Sequence, residues 1–273
     1  MPPRTPFQTG AAVLFAALLL AVRAASAAPA FEAEAWLAAA PDKIIWAHNE
    51  DAPLPPASLT KIMTVMLALQ KTAPEEVVTV SPRAAAETGS RIGLKAGDKV
   101  YAGLLAAASL MASANDACLA LAEHVGGGNA AFVALMNEEA ARLGLSRTHF
   151  QNPCGHDAPE HVSTARDMLT LARAAMRLPL FAGIAAERTL RFTTVDGTRT
   201  FFVKNKNLLI GRYPGAAGVK TGFTEKAGKC LVALVRRDGV EVMLVALNAK
   251  ERWWSSVRIL DAALRELGVE IYY

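Results

Sequence analysis

The stretch Pro56-Ala57-Ser58-Leu59-Thr60-Lys61-Ile62-Met63-Thr64 decides how the rest of the chain is read. Pro55 and Pro56 stop the preceding segment, and apolar Ile62, Val65, Met66 and Leu69 then recur at helical spacing. That pattern predicts a helix from about Ser58 to Lys71 with this face buried. Residues three apart are neighbours on a helix, so the Lys61 ammonium can approach the Ser58 hydroxyl. A serine becomes a nucleophile at neutral pH only beside a base. Lysine serves as that base when burial or a second cation lowers its pKa. The helix N-terminus also favours negative charge developing on Ser58. Alone, the S-x-x-K spacing is weak, because a capping serine followed by a surface lysine is common.

Two further triplets change its weight. Ser113-Ala114-Asn115 falls on a break between two helical patterns. There a hydroxyl can relay a proton, and an amide can donate to and accept from a substrate peptide bond. Lys220-Thr221-Gly222 falls where a strand is expected. It would turn a cation and a hydroxyl toward a carboxylate, with Gly222 allowing close backbone approach. Each triplet has an ordinary reading, as a helix junction or an exposed strand. All three occur once, in this order, each on the element its chemistry needs.

Around them the chain alternates in character. Ala35 to Ala39 and Lys43 to His48 read as strands across a Pro41-Asp42 turn. From Ser81 to about Arg177 the pattern is almost wholly helical. The expected helices are Tyr101 to Met111, Asp116 to Val125, Ala130 to Leu143, and Ala165 to Arg177 with Ser163 as N-cap. Arg188 to Phe192 and Arg199 to Val203 read as strands, as do Lys229 to Val235 and Glu241 to Asn248 around Asp238-Gly239. A helix from about Trp253 to Leu267 follows. Strands at both ends with helices between them imply one sheet assembled from distant segments, with a helical lobe (about 81–186) inserted.

S-x-x-K with S-D-N and K-T-G marks class A β-lactamases and penicillin-binding proteins; here the middle element is S-A-N. Over roughly Trp36 to Leu267 the chain resembles the low-molecular-mass penicillin-binding D-Ala-D-Ala carboxypeptidases, serine peptidases of the S11 type. Phe150-Gln151-Asn152-Pro153, His161 to Met168, Tyr213-Pro214-Gly215 and Gly218 to Thr224 add to the likeness. The resemblance implies an α+β fold of the β-lactamase and penicillin-binding type, an antiparallel sheet flanked by helices. It implies that Ser58 forms an acyl-enzyme, Lys61 is its general base and Ser113 shuttles a proton. Asn115 would orient the substrate, while Lys220 and Thr221, followed by Gly222, engage the terminal carboxylate. The N–H groups of Ser58 and Phe223 would form the oxyanion hole. No metal or organic cofactor is implied, and β-lactams would act as acylating inhibitors. Two departures stand out. Ala217 replaces an acid often found before the glycine of the third motif, and Cys154 with His156 makes the loop after Asn152-Pro153 unusual. The family's longer members carry a β-rich second domain and an amphipathic anchor, and neither is expected in this sequence.

Residues 1–27 read as a secretory leader: Arg4, an apolar run from Ala11 to Val22, then Ala25-Ser26-Ala27. The run is shorter than the roughly 20 residues that span a bilayer, so the expected mature form (28–273) is a catalytic domain without a transmembrane span, exported to the periplasm or cell envelope. Removing Arg4 and Arg23 from 29 basic residues leaves 27 against 25 acidic, which argues against nucleic-acid binding. Cys118, in an Ala/Leu-rich helix, and Cys230, in an apolar strand, are expected as buried free thiols. Cys154 with His156 and His161 matches no common metal spacing.

The expected activity is release of the terminal D-alanine from peptidoglycan stem peptides. A D,D-endopeptidase cutting cross-links would carry the same motifs. A class A-like β-lactamase would need a deacylating glutamate, for which Glu138 and Glu139, in a helical run, are poorly placed. A wall-binding module with a decayed site is disfavoured by intact motifs.

Overall fold

The computed structural model describes residues 27–272. Its centre is a five-stranded sheet whose neighbouring strands all run antiparallel, in the order β2-β1-β9-β8-β7. The strands are β1 (Ala33–Ala39), β2 (Ile44–His48), β7 (Ala216–Thr224), β8 (Gly228–Arg237) and β9 (Val240–Ala249). Asp238 and Gly239 join β8 to β9 with φ of 51° and 76°. Two successive positive φ values give a turn whose twist matches that of the strands. β1 then pairs with β9, Leu37 opposite Val245, so the first strand of the fold is held by the last.

Side chains on these strands alternate between two cores, as a period of two requires. Leu37, Val232, Leu234, Val245 and Leu247 face the helical side. Trp36, Leu231, Ala233, Leu244 and Ala246 face α8 (Trp254–Glu266), which offers Ile259, Leu260, Ala263 and Leu264. Each such fully buried Leu, Ile or Val contributes roughly 1.5–3 kcal/mol.

On the helical side α1 (Lys61–Lys71) runs through the middle, with every residue from Lys61 to Ala68 buried. It is packed by α3 (Ala102–Met111), α4 (Asn115–Gly126), α6 (Ala165–Met176) and α7 (Pro179–Ala186), with α5 (Asn129–Arg142) against α4. The alanines of α3 let helices approach closely on all sides, which is why this helix shows no one-sided apolar stripe.

The α+β arrangement with one sheet built from both ends of the chain is as expected, and several details differ. The stretch after Ser81 is not wholly helical. It holds α2 (Pro82–Ala85), a long loop, and β4 (Lys99–Tyr101), which pairs with β3 (Val77–Thr79). Strands this short leave too few residues for a periodic signal. The strands β5 (Thr189–Thr193) and β6 (Thr200–Lys204) form a separate two-stranded ribbon rather than joining the sheet. Ser58 lies in a 3-10 turn, Ala57–Thr60, ahead of α1. The cap of α6 is Thr164, whose hydroxyl accepts from Asp167 N at 3.0 Å; Ser163 instead pairs its backbone with Leu54.

The free-thiol expectation fails for Cys118. It is disulfide-bonded to Cys154, 36 residues away, while Cys230 is free and buried. Closing a loop of that length restricts the unfolded chain by about 3–4 kcal/mol. The pairing was invisible in the spacing, because α4 meets the loop after Asn152-Pro153 only once the lobe has packed. The expected leader at 1–27 lies outside the described residues except for Ala27. Among the described residues no single helix is long and apolar enough to cross a membrane.

Candidate active site

Ser58 is presented by a turn under constraint. Ala57 takes φ +49°, a left-handed value that a residue with a Cβ seldom adopts. The Thr60 hydroxyl donates to Ala57 O at 2.8 Å and lies 2.8 Å from His161 Nε2. A hydroxyl has one hydrogen, so His161 Nε2–H must be the donor in the second bond. His161 Nδ1 then accepts from Gln151 N at 3.0 Å, which completes a neutral imidazole. Burial, aided by His149, holds that ring's pKa down to about 4.

Lys61 has no exposed surface. Its Nζ is 3.1 Å from Ser58 Oγ and 2.5 Å from the carbonyl oxygen of Cys154. Burial lowers its pKa to about 7; Glu87 and Asp116 oppose that shift and Lys206 assists it. Near neutrality much of the amine is therefore unprotonated, with a lone pair for the serine proton.

The carbonyl that meets Lys61 belongs to a loop folded around Asn152. Asn152 Oδ1 accepts from Gly155 N at 2.7 Å and His156 N at 2.9 Å, and Thr64 Oγ1 donates to Pro153 O at 2.5 Å. Gly155 has φ +81°, and a Cβ there would lie 2.0 Å from Ala57 O. Only glycine lets this loop rest on the Ser58 turn.

Ser113 and Asn115 stand at the α3–α4 junction, 4% and 7% exposed. Ser113 takes φ +59°, and its hydroxyl is not engaged in a hydrogen bond among the described residues. Asn115 N donates to Ser90 O at 2.7 Å and Asn115 Nδ2 to Thr88 O at 2.6 Å. Asp116, which the sequence reading passed over, is fully buried and accepts from the N–H groups of Ile92, Gly93 and Leu94. It staples the 88–94 loop to the start of α4. An acid directly after the triplet, at a helix N-terminus, was the available signal.

The third wall is β7, at the edge of the sheet. Lys220 is 1% exposed and donates to Thr221 O at 2.8 Å. Burial, with Lys61, Lys206 and Arg252 nearby, pushes its pKa well below the ordinary lysine value. At Gly222 a Cβ would meet Pro56 O at 3.0 Å and Ala57 Cβ at 3.2 Å, so β7 lies directly against the Ser58 turn. Phe223, near the end of β7, is 53% exposed. Arg252 was also missed; its Nη1 donates to Gly222 O at 2.7 Å and Cys230 O at 3.2 Å, tying β7 and β8 together behind the motif. It lies outside the three motifs, so nothing local marked it.

The structure thus brings Ser58, Lys61 and Gly222 into direct proximity and sets Lys220 within electrostatic reach of Lys61. Ser113 lies in the link between α3 and α4 and Asn115 opens α4, both helices being packed against α1. Among the described residues no three His, Cys, Asp or Glu side chains converge to hold a metal, and Cys154 is committed to its disulfide.

The family model of peptidase S11, D-alanyl-D-alanine carboxypeptidase, matches residues 22–251. The chain belongs to that family. It is 35% identical to the D-alanyl-D-alanine carboxypeptidase DacF of Bacillus subtilis over 85% of this chain and 61% of that protein. It therefore spans less than two thirds of that relative's length. A D-alanyl-D-alanine endopeptidase of Pseudomonas aeruginosa is 35% identical over 76% of this chain and 67% of its own. Among solved structures, the Streptomyces K15 DD-transpeptidase superposes with a TM-score of 0.84 at 28% identity, covering 89% of this chain and all of that one. The two chains therefore share one fold over nearly all of the described residues.

Proposed function

We propose that this S11 chain is a serine D-Ala-D-Ala carboxypeptidase acting on peptidoglycan stem peptides through a Ser58 acyl-enzyme. The observation that carries the reading is the buried Lys61 amine 3.1 Å from Ser58 Oγ, with its pKa near 7. Lys61 takes the Ser58 proton as Oγ attacks the carbonyl of the penultimate D-Ala. The oxyanion that forms is received by the N–H groups of Ser58 and Phe223, a contribution of about 3 kcal/mol per donor. Ser113 passes a proton to the departing amine as the peptide C–N bond breaks, and D-alanine leaves. Water then attacks the ester, and Ser58 recovers its proton.

Asn115 orients the penultimate peptide unit. Lys220 and Thr221 receive the terminal carboxylate, whose negative charge favours the ammonium form of Lys220 and so opposes the effect of burial. β-Lactams acylate the same hydroxyl. Residues 28–273 act as one catalytic domain, and residues 1–27 direct export to the periplasm or envelope.

Incubation with a D-Ala-D-Ala-terminated pentapeptide tests this by product mass. Loss of one alanine is expected, together with fluorescent-penicillin labelling that disappears in Ser58→Ala. Labelling that survives the substitution removes Ser58 as nucleophile.

The relative named as an endopeptidase keeps a second reading in play, cleavage of cross-links by the same residues. Digested muropeptides separate the two, since one activity frees D-alanine and the other frees monomers. A β-lactamase reading loses support from α5, where Glu138 is exposed and Glu139 is engaged by Arg142 at 2.6 Å.

A further inference from the structure

Cys154 meets the site through two parts of one residue. Its carbonyl oxygen accepts from Lys61 Nζ, and its sulfur is bonded to Cys118 on α4. Cys118 is one turn past Asn115 and fully buried. A single covalent link therefore ties the helix that carries Asn115 to the carbonyl that holds Lys61.

The flanks of this loop are held by Asn152 and Thr64, but the Cys154 peptide itself is less firmly held. Pro153 precedes it without an N–H, and Gly155 follows with the freest backbone of any residue. The Cys154 N–H reaches Asn152 Oδ1 only at 3.3 Å. If residue 154 were released from α4, its peptide could turn and water could enter beside Lys61, whose low pKa depends on dryness.

We propose that the Cys118–Cys154 disulfide is a positioning device for the base lysine: it holds the Cys154 carbonyl on Lys61 and keeps the amine dry, so full acylation activity requires the oxidised pair. The proposal rests on the reading of Ser58 and Lys61 given above. The competing role is a staple that stabilises the lobe without touching the chemistry. The charged groups acting on Lys61 are Glu87, Asp116, Lys206 and Lys220, with His161 also close enough to interact. None of these residues is substituted in the variants, and Glu87 is itself held at 3.0 Å by His156 Nε2 of the same loop, so a moved titration reports the loop.

The experiment measures acylation by fluorescent penicillin from pH 5 to 10. The samples are the wild type, Cys118→Ala/Cys154→Ala and Cys118→Val/Cys154→Ala, each checked for folding by circular dichroism. The wild type should gain activity through a limb near pH 7. In the variants the limb should move up by about one pH unit, making acylation about fivefold slower at pH 7 and nearly equal to wild type at pH 9.5. A limb that stays in place, whether rates are unchanged or lower at every pH, overturns the proposal in favour of the staple. Wild type refolded with its cysteines kept reduced by dithiothreitol, and verified by alkylation mass, supplies a third sample without the bond. If none of the three folds, the bond serves stability alone and the proposal falls. Wild type that neither labels nor releases D-alanine defeats the functional reading itself, a result read without any variant.

Discussion

Lys61 Nζ stands 3.1 Å from Ser58 Oγ while Lys61 is wholly withdrawn from solvent. In the proposed mechanism burial there is the source of reactivity, because a solvated ammonium would hold its proton to about pH 10. Acylation by a penicillin should therefore rise about tenfold per pH unit below pH 7 and level off above it. The pH profile of the acylation rate checks this; a limb near pH 10 would show a lysine whose pKa burial has not lowered.

The same burial has a cost in stability. The folded pKa of about 7 lies below the ordinary 10.5, so between these values the unfolded state binds more protons. Stability should therefore rise with pH across that window, with the full penalty present below pH 7. Lys61→Met removes the penalty and should stabilise the fold by on the order of 2–4 kcal/mol while acylation falls at least about a hundredfold. Urea unfolding at pH 7 measures the first effect and penicillin labelling the second.

Gly155→Ala places a methyl 2.0 Å from Ala57 O at a backbone angle disfavoured for alanine. It should destabilise the protein by more than about 2 kcal/mol and displace the Ser58 turn. Gly222→Ala meets neighbours only at 3.0–3.2 Å and should leave folding nearly intact. Its expected effect is a ten- to hundredfold loss of acylation, roughly, as β7 shifts from the turn. Comparing thermal midpoints with labelling rates for the two variants separates these outcomes.

Asp116 accepts three N–H groups from the 88–94 loop in a site without solvent. Asp116→Asn removes the charge and replaces one acceptor oxygen by a donor facing those groups. A loss of about 2–3 kcal/mol is expected. Because Asn115 is held by Thr88 and Ser90 of the same segment, KM for a D-Ala-D-Ala peptide should rise more than kcat falls. Steady-state kinetics with amide hydrogen exchange over residues 86–94 provide the check.

Local order along the chain determined much of this protein by itself. The apolar spacing after Ser58, the turn at Asp238-Gly239 and the order of the three motifs are carried by neighbouring residues, whose periodicity and turn geometry need no distant partner. What only the tertiary structure decided depends on segments far apart in sequence: the Cys118–Cys154 bond, the Asp116 staple, Arg252 behind β7 and the separate β5–β6 ribbon. Most of all, the pKa of Lys61 is a property of what excludes water from it, and that enclosure is assembled from α1, α4, β7 and the loop at Cys154 only when the chain has folded.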